Sequence, residues 1–245
     1  NIGNILLFLG TCALINTLEV KPLELRRDAV TVVAAIIFFL IFVGVSALGA
    51  TDAIIFLMTL VAYLVWAYWS ERFLAAPSAE LHKAEAEELT ALPKSVVWTV
   101  TTVIIGLVLL IAGSQVLLMG AVGIAEHFRV SEAVIGLTLV AVGTSLPELT
   151  ISVIAALRRH ADVAVGNVLG SNIFNLLGIL GVSALLQPLP VHARILQFDQ
   201  WVMLGTSLLL LLFLYTGRRL NRLEGGVLLA SYGVYVGLSF MAYGG

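Results

Sequence analysis

The chain has 245 residues, 60% hydrophobic and only 11% charged, with a formal net charge of −2 and a mean hydropathy of +1.05. Soluble domains carry about 25% charged residues, so a soluble globular protein is excluded; with no basic tract and no aromatic–basic interleaving, so is a nucleic-acid binder. The single cysteine, Cys12, excludes an internal disulfide framework and reads as a small apolar helix residue.

In lipid the backbone must satisfy its own hydrogen bonds, so spans are helices or a closed barrel. The apolar runs are long and do not alternate, which predicts helices. Eight segments are expected, at about 1–15, 29–48, 53–70, 96–125, 132–157, 162–186, 199–215 and 224–242. The first is short for a span, which needs about 20 residues. The fourth, Val96 to Ala125, would reach about 45 Å and has to tilt or protrude. Ala75 to Ser95, the longest connection, is acidic and helix-prone between Pro77 and Pro93 and reads as a solvated surface helix. His82, His127, His160 and His192 fall in loops or at interfaces and take no metal or proton-relay role. The start at Asn1 has no charged region before an apolar core, so nothing reads as a signal peptide.

Basic residues fix the expected orientation. Alternate connections hold Lys21, Arg26 and Arg27; Arg72, Lys83 and Lys94; Arg158 and Arg159; and Arg218, Arg219 and Arg222. The other set holds only Arg129 and Arg194. The positive-inside rule places the first set in the cytoplasm and the C-terminus outside, in a cell (inner) membrane.

Residues 1–20 and 172–191 align without a gap at an offset of 171, with ten of twenty positions identical. The identities include Asn1/Asn172, Asn4/Asn175, Gly10/Gly181 and Ala13/Ala184. Shared Leu and Ile follow from apolar composition; paired Asn and Gly in register do not. The copies lie in the first and sixth segments, so they cross the membrane in opposite directions, as in the inverted repeats of secondary transporters. The first copy begins where the second has already completed G-N-x-x-G-S. The expected organisation is therefore the remainder of a first inverted repeat (1–73), a cytoplasmic loop (74–95) and a second repeat (96–245, with its motif-bearing part at 131–186). An N-terminal segment of the same protein is expected to be missing, which makes the chain eight helices of an all-α, ten-helix polytopic membrane protein.

Glu148 alone among the acidic residues sits well inside an apolar segment, and an intramembrane carboxylate marks an ion or proton pathway by default. Ser145-x-x-Glu148 reads as a capping box with Pro147 in the first turn. The helix is thus expected to end near Val142 and restart near Leu146. The break frees carbonyls around Ala141 to Gly143, Thr144 and Ser145 add hydroxyls, and Glu148 adds charge. On the sixth segment Asn167, Ser171 and Asn175 recur at steps of four and share one helix face. Ser171 and Asn175 offer further oxygens, whereas Asn167 and Asn172 divide between ligation and interhelical hydrogen bonding. Gly166 and Gly170 read as a close helix approach. An all-oxygen donor set favours Ca²⁺, Mg²⁺ or Na⁺ over zinc or copper. Ser145 as a hydrolase nucleophile would need a base, and no His or Lys is embedded near it, so the chain does not read as an enzyme. A channel remains as a different-class alternative, and no cofactor is expected.

Val134–Leu149 (V-I-G-L-T-L-V-A-V-G-T-S-L-P-E-L) and Gly166–Asn175 (G-N-V-L-G-S-N-I-F-N) resemble the second alpha repeat of the sodium/calcium exchanger family, its prokaryotic branch in particular. The resemblance implies an inverted-repeat antiporter in which Na⁺ entry drives Ca²⁺ extrusion by alternating access, with H⁺/Ca²⁺ or K⁺-dependent exchange as variants. It implies a central site with Glu148, Ser145, Thr144, Ser171 and Asn175 as side-chain ligands and Ala141 as a carbonyl ligand, with Asn4 contributed by the first repeat. It also implies that the long fourth segment belongs to a peripheral pair of tilted helices that slides across the core. Many relatives carry Asp where this chain has Asn175, which leaves the coupling ion open.

Overall fold

The computed structural model describes residues 1–19, 22–43, 47–73, 95–128, 135, 140–217 and 219–243. The expected surface helix between Pro77 and Pro93 and the first part of the fifth apolar segment lie outside these residues. Apart from four two-residue strands, the described elements are helices. Five of them are long and apolar enough to cross a membrane.

Helix α1 (Asn4–Ile15) is followed by β1 (Leu18–Glu19), α2 (Pro22–Val43), β2 (Ala47–Leu48) and α3 (Ala50–Phe73). The long α4 (Val96–His127) comes next, then the single turn α5 (Ala141–Thr144) and α6 (Leu146–Leu157). Helix α7 (Ala161–Leu186) leads to β3 (Leu189–Pro190). The chain continues with α8, whose first turn Ile195–Asp199 runs into Gln200–Gly217, then β4 (Arg219–Leu220) and α9 (Arg222–Tyr243).

Two helix starts differ from the sequence expectation. Helix α2 begins at Pro22 and α8 at Ile195, several residues before the apolar runs do. Charged residues end an apolar run in sequence, but Arg27 pairs with Asp28 inside α2 and Arg194, at the N-cap of α8, pairs with Asp199 in its first turn. The short strands carry no length or alternation signal and were not legible in the sequence.

The repeat extends well past the twenty aligned residues. Helix α1 is widened to a π-helix over Asn4–Leu9, and α7 over Phe174–Ile179. Both helices end on an extended residue, Asn16 and Gln187. Strands β1 and β3, helices α2 and α8, strands β2 and β4, and helices α3 and α9 then follow in the same order in both copies.

Packing crosses between the copies. Helix α1 packs on α9, the last part of α7 on α3, and α2 on α8. Strand β1 pairs with β4 (Leu18↔Leu220) and β2 with β3 (Leu48↔Leu189), both antiparallel. Strand β1 precedes α2 and β4 follows α8, while β2 follows α2 and β3 precedes α8. The start of α2 therefore lies at the end of α8, and these two packed helices run in opposite directions.

Small residues set the closest approaches. A Cβ on Gly10 would lie 3.0 Å from the carbonyl oxygen of Gly225, and one on Gly225 would lie 2.6 Å from the Ala13 Cβ, so α1 and α9 touch through backbone. At the equivalent place in the other copy, Gly181 faces Leu57 and the Ala53 carbonyl of α3. Gly166 and Gly170 do not play this part: a Cβ on either meets nothing within 4 Å among the described residues. Among the described residues the close approaches to α7 are made at other turns, such as Gly181 against α3.

The buried core runs along α1, α2, α3 and α7, with Ile5, Phe8, Leu9, Cys12, Ile36, Phe56, Leu169, Ile173 and Leu177 each almost fully buried. Helix α4 contributes nothing to this core among the described residues. Its 32 residues reach about 48 Å at 1.5 Å per residue, and among the described elements it packs chiefly on α5 and α6.

Candidate functional site

The break predicted around Gly143 and Thr144 is present and sits at Ser145. Its backbone (φ −101°, ψ 13°) leaves the helical region between α5 and α6, two residues later than the expected end near Val142. The Ser145 N–H bonds to the Val142 carbonyl at 3.1 Å, not to Ala141 as a continuous helix requires. Pro147 has no N–H to offer Gly143. The carbonyls of Ala141 and Gly143 thus lose their ordinary helical donors, as the sequence suggested.

The capping box does not form. Ser145 makes no side-chain cap hydrogen bond, and its carbonyl instead accepts the Leu149 N–H at 3.0 Å. A hydroxyl not committed to capping is available to the space in front of it. Gly143 lets α4 cross this break, since a Cβ there would lie 2.5 Å from the Leu118 Cδ1.

Glu148 lies in the first turn of α6, where the helix N-terminus favours a negative charge. Its Oε2 is buried and has no hydrogen-bond partner among the described residues. A cavity of about 530 Å³ takes its wall from Glu148, Thr144, Ser145, Asn4 and Asn175. Five of the seven predicted ligands thus border one space. Ala141 and Ser171 are not among its described lining residues. Ser171 is joined to the cavity through Asn4, whose Nδ2 donates to the Ser171 Oγ at 3.2 Å. Ala141 opens α5, next to the break.

The π-turns explain how two helices deliver amides to one place. Asn4 begins the widened stretch of α1 and Asn175 lies in that of α7. A π-turn shifts the helix face by part of a turn and is common at functional sites. Asn175 Nδ2 donates to Asn1 Oδ1 at 3.2 Å and to Ser171 Oγ at 3.5 Å. Asn1 Nδ2 donates to the Asn172 carbonyl at 3.1 Å, while the Asn172 side-chain amide is buried without a partner among the described residues.

Asn167 resolves toward interhelical bonding. Its Nδ2 donates to the Glu148 carbonyl at 3.2 Å and to the buried Ser152 Oγ at 3.0 Å, which locks α6 to α7 one turn from the carboxylate. Among the described residues no three His, Cys, Asp or Glu side chains come together. The candidate site centres on the Glu148 carboxylate, which shares its cavity with hydroxyl and amide groups, a donor set that suits hard cations.

Sequence reasoning missed part of the cavity wall. Asp199, Gln200, Tyr232 and Tyr235 also border it. In the sequence Asp199 falls at the end of an apolar run, where a charged residue is unexceptional. Extending the 171-residue offset beyond the aligned twenty would have flagged it, because it matches Asp28.

Comparison with known proteins gives a consistent picture. The family model described as sodium/calcium exchanger protein matches residues 98–241. CaxA of Alkalimonas amylolytica is 39% identical over 245 residues, covering 98% of this chain and 76% of CaxA. The sodium/calcium exchanger MaX1 of Methanosarcina acetivorans is 41% identical over 139 residues, which is 57% of this chain and 40% of MaX1. A solved structure of the sodium-calcium exchanger NCX_Mj, soaked with Na⁺ and Sr²⁺, superposes with a TM-score of 0.75 at 32% identity, covering 96% of this chain and 72% of that one.

Proposed function

The chain belongs to the sodium/calcium exchanger family of multi-pass membrane antiporters, and from that membership we propose that it exchanges Na⁺ for Ca²⁺ by alternating access. Glu148 supplies the charge, Thr144, Ser145 and Ser171 supply hydroxyl oxygens, and Asn4 and Asn175 supply amide oxygens. The Ala141 carbonyl, released at the helix break, completes the described half of the shell. Residues 1–73 and 96–245 act as opposed inverted halves joined by a cytoplasmic loop at 74–95, with the C-terminus outside.

The observation that carries this reading is the Glu148 Oε2, buried, without a donor and bordering the same cavity as Asn4. An unpaired carboxylate in a membrane interior is costly, and a transported cation is the partner that repays it. The break beside Glu148 and the Asn4–Ser171 hydrogen bond, which joins the two copies, point the same way.

Asn175 supports a second reading of the coupling ion. A neutral amide leaves the site one charge short of an Asp-bearing relative, so K⁺ or H⁺ could share the coupling. Radiolabelled Ca²⁺ uptake by the whole protein in proteoliposomes, against imposed Na⁺, K⁺ and pH gradients, separates the readings. Uptake driven by a Na⁺ gradient alone supports the first. Uptake that needs K⁺, or that follows only the pH gradient, supports the second. Ca²⁺ flux without any counter-ion would make the protein a channel.

A further inference from the structure

Two clusters of charged and hydroxyl side chains lie outside the proposed ligand set, and the repeat relates them. In the first copy Arg27 Nε meets the Asp28 Oδ1 at 2.7 Å. Tyr63 of α3 donates its hydroxyl to that same oxygen at 3.0 Å, and Arg27 Nη1 donates to the Ser70 Oγ of α3 at 2.6 Å. In the second copy Arg194 Nε meets the Asp199 Oδ2 at 3.0 Å. Tyr235 of α9 donates its hydroxyl to the Asp199 Oδ1 at 3.0 Å, and Arg194 Nη2 donates to the Ser239 Oγ of α9 at 3.0 Å.

Asp28 and Asp199 are 171 residues apart, and Tyr63 and Tyr235 are 172 apart, the offsets that relate the helices themselves. The arginines do not correspond. Arg27 adjoins its aspartate, whereas Arg194 precedes its own by five residues. Two non-equivalent chain positions deliver a guanidinium to equivalent carboxylates, so the duplication by itself does not account for the pairing. Side-chain exposure is 11% and 17% for Arg27 and Asp28, and 14% and 19% for Arg194 and Asp199. Largely buried ion pairs of this kind fix geometry more surely than they add stability.

Position gives the pair its meaning. Each aspartate lies near the start of its helix, and α2 and α8 are packed in opposite directions. The triads therefore lie at opposite ends of the bundle, one toward each membrane face. Asp199 and Tyr235 border the cavity that holds Glu148. Asp28 and Tyr63 are not among its described lining residues.

We infer that the two Asp–Tyr–Arg triads are matched positioning elements for cation access, one for each face of the membrane. The Asp199 triad holds α8 and α9 at the spacing that passes a cation toward Glu148 from one side. The Asp28 triad holds α2 and α3 for the opposite side once the inverted halves have exchanged conformations. Each triad balances its own charge, so it shapes the path and does not bind the ion. This rests on the exchanger reading above.

The test uses the whole protein inserted in one orientation in proteoliposomes, with half-saturating Ca²⁺ measured separately from each face. Tyr235→Phe is expected to raise it about three- to tenfold at one face, the cost of about one hydrogen bond; Asp199→Asn, which also leaves Arg194 without its carboxylate, is expected to raise it by about tenfold or more; both leave the other face within about twofold. Tyr63→Phe and Asp28→Asn are expected to do the reverse. The Tyr→Phe changes remove one hydroxyl and keep the ring, and gel filtration checks that each variant remains folded. Equal shifts at both faces, or slower turnover with no sided shift, would overturn the inference while leaving the exchanger reading standing. Wild-type protein that shows no counter-ion exchange would remove that reading and the inference together.

Discussion

Replacing Glu148 by Gln tests the central claim, and the structure gives both the sign and the size of the effect. The Oε2 of Glu148 is buried and unpartnered among the described residues, although the residue as a whole is only half-buried. A charge at the centre of a membrane costs about 2.5–3.5 kcal/mol on insertion scales, and partial exposure reduces that. The Gln amide also brings a polar group into the same place, at about 1–2 kcal/mol. The net gain for cation-free protein is therefore small, about 1 kcal/mol. Cation binding works in the other direction. A ligand at one hundred times its Kd stabilises the folded state by about 2.7 kcal/mol, or about 5–10 °C in Tm for a chain of this size. Glu148→Gln should thus melt at or slightly above the wild type in a chelator, and should lose the Ca²⁺-dependent rise. Thermal unfolding followed by tryptophan fluorescence, with and without Ca²⁺, gives both numbers, and Ca²⁺ flux should fall to background. A Glu148→Gln protein that keeps the full Ca²⁺-dependent rise in Tm would refute the assignment of Glu148 to the cation.

Asn167→Ala removes two hydrogen bonds that join α6 to α7 and should cost about 2 kcal/mol; a raised half-saturating Ca²⁺ with little change in maximal rate would show that the lost bonds had positioned Glu148. Gly10→Val drives a branched side chain into the Gly225 carbonyl 3.0 Å from the Cβ position, so a loss of at least 1–3 kcal/mol is expected, read as a lower Tm. Arg159 holds φ at 64°, closing α6 through His160 N–H to the Ala155 carbonyl and Arg159 N–H to the Ala156 carbonyl. Glycine is the residue suited to that position, so Arg159→Gly should raise stability by about 1 kcal/mol with transport unchanged.

Much of the site was legible because its signals are local. The Gly143–Glu148 stretch combines a turn-former, two hydroxyls, a proline and a carboxylate inside an apolar run, and the break lies within two residues of its expected place. The amide pair was legible through the repeat, which sets Asn4 in register with Asn175. What stayed hidden is long-range or conformational. The π-turns leave no composition signal. The cross-copy strands are two residues each. Asp199 and Tyr235 are unremarkable by themselves and acquire meaning only beside Asp28 and Tyr63. Gly166 and Gly170 form a pattern that names a kind of contact without saying which helix turn will make it; among the described residues that contact falls at Gly10 and Gly181 instead.

The hydrogen bonds around Ser171 bear on the amide at position 175. A hydroxyl oxygen has two lone pairs, and those of Ser171 accept from both Asn4 Nδ2 and Asn175 Nδ2. A cation bound to the Ser171 Oγ needs one of them, so one amide must release it. An asparagine that rotates about its last torsion turns its oxygen to where its nitrogen had been, and the donor becomes a ligand. An aspartate could supply the ligand but could not donate to the Ser171 Oγ or to the Asn1 Oδ1, leaving acceptor against acceptor at Asn1 when no cation is near. Asn175 therefore gives up one unit of cation attraction and gains hydrogen bonds to Asn1 and Ser171. Asn175→Asp should bind Ca²⁺ more tightly and release it more slowly. In flux measurements this means a lower half-saturating Ca²⁺ together with a lower maximal rate; an increase in both would show that position 175 acts through something other than its charge.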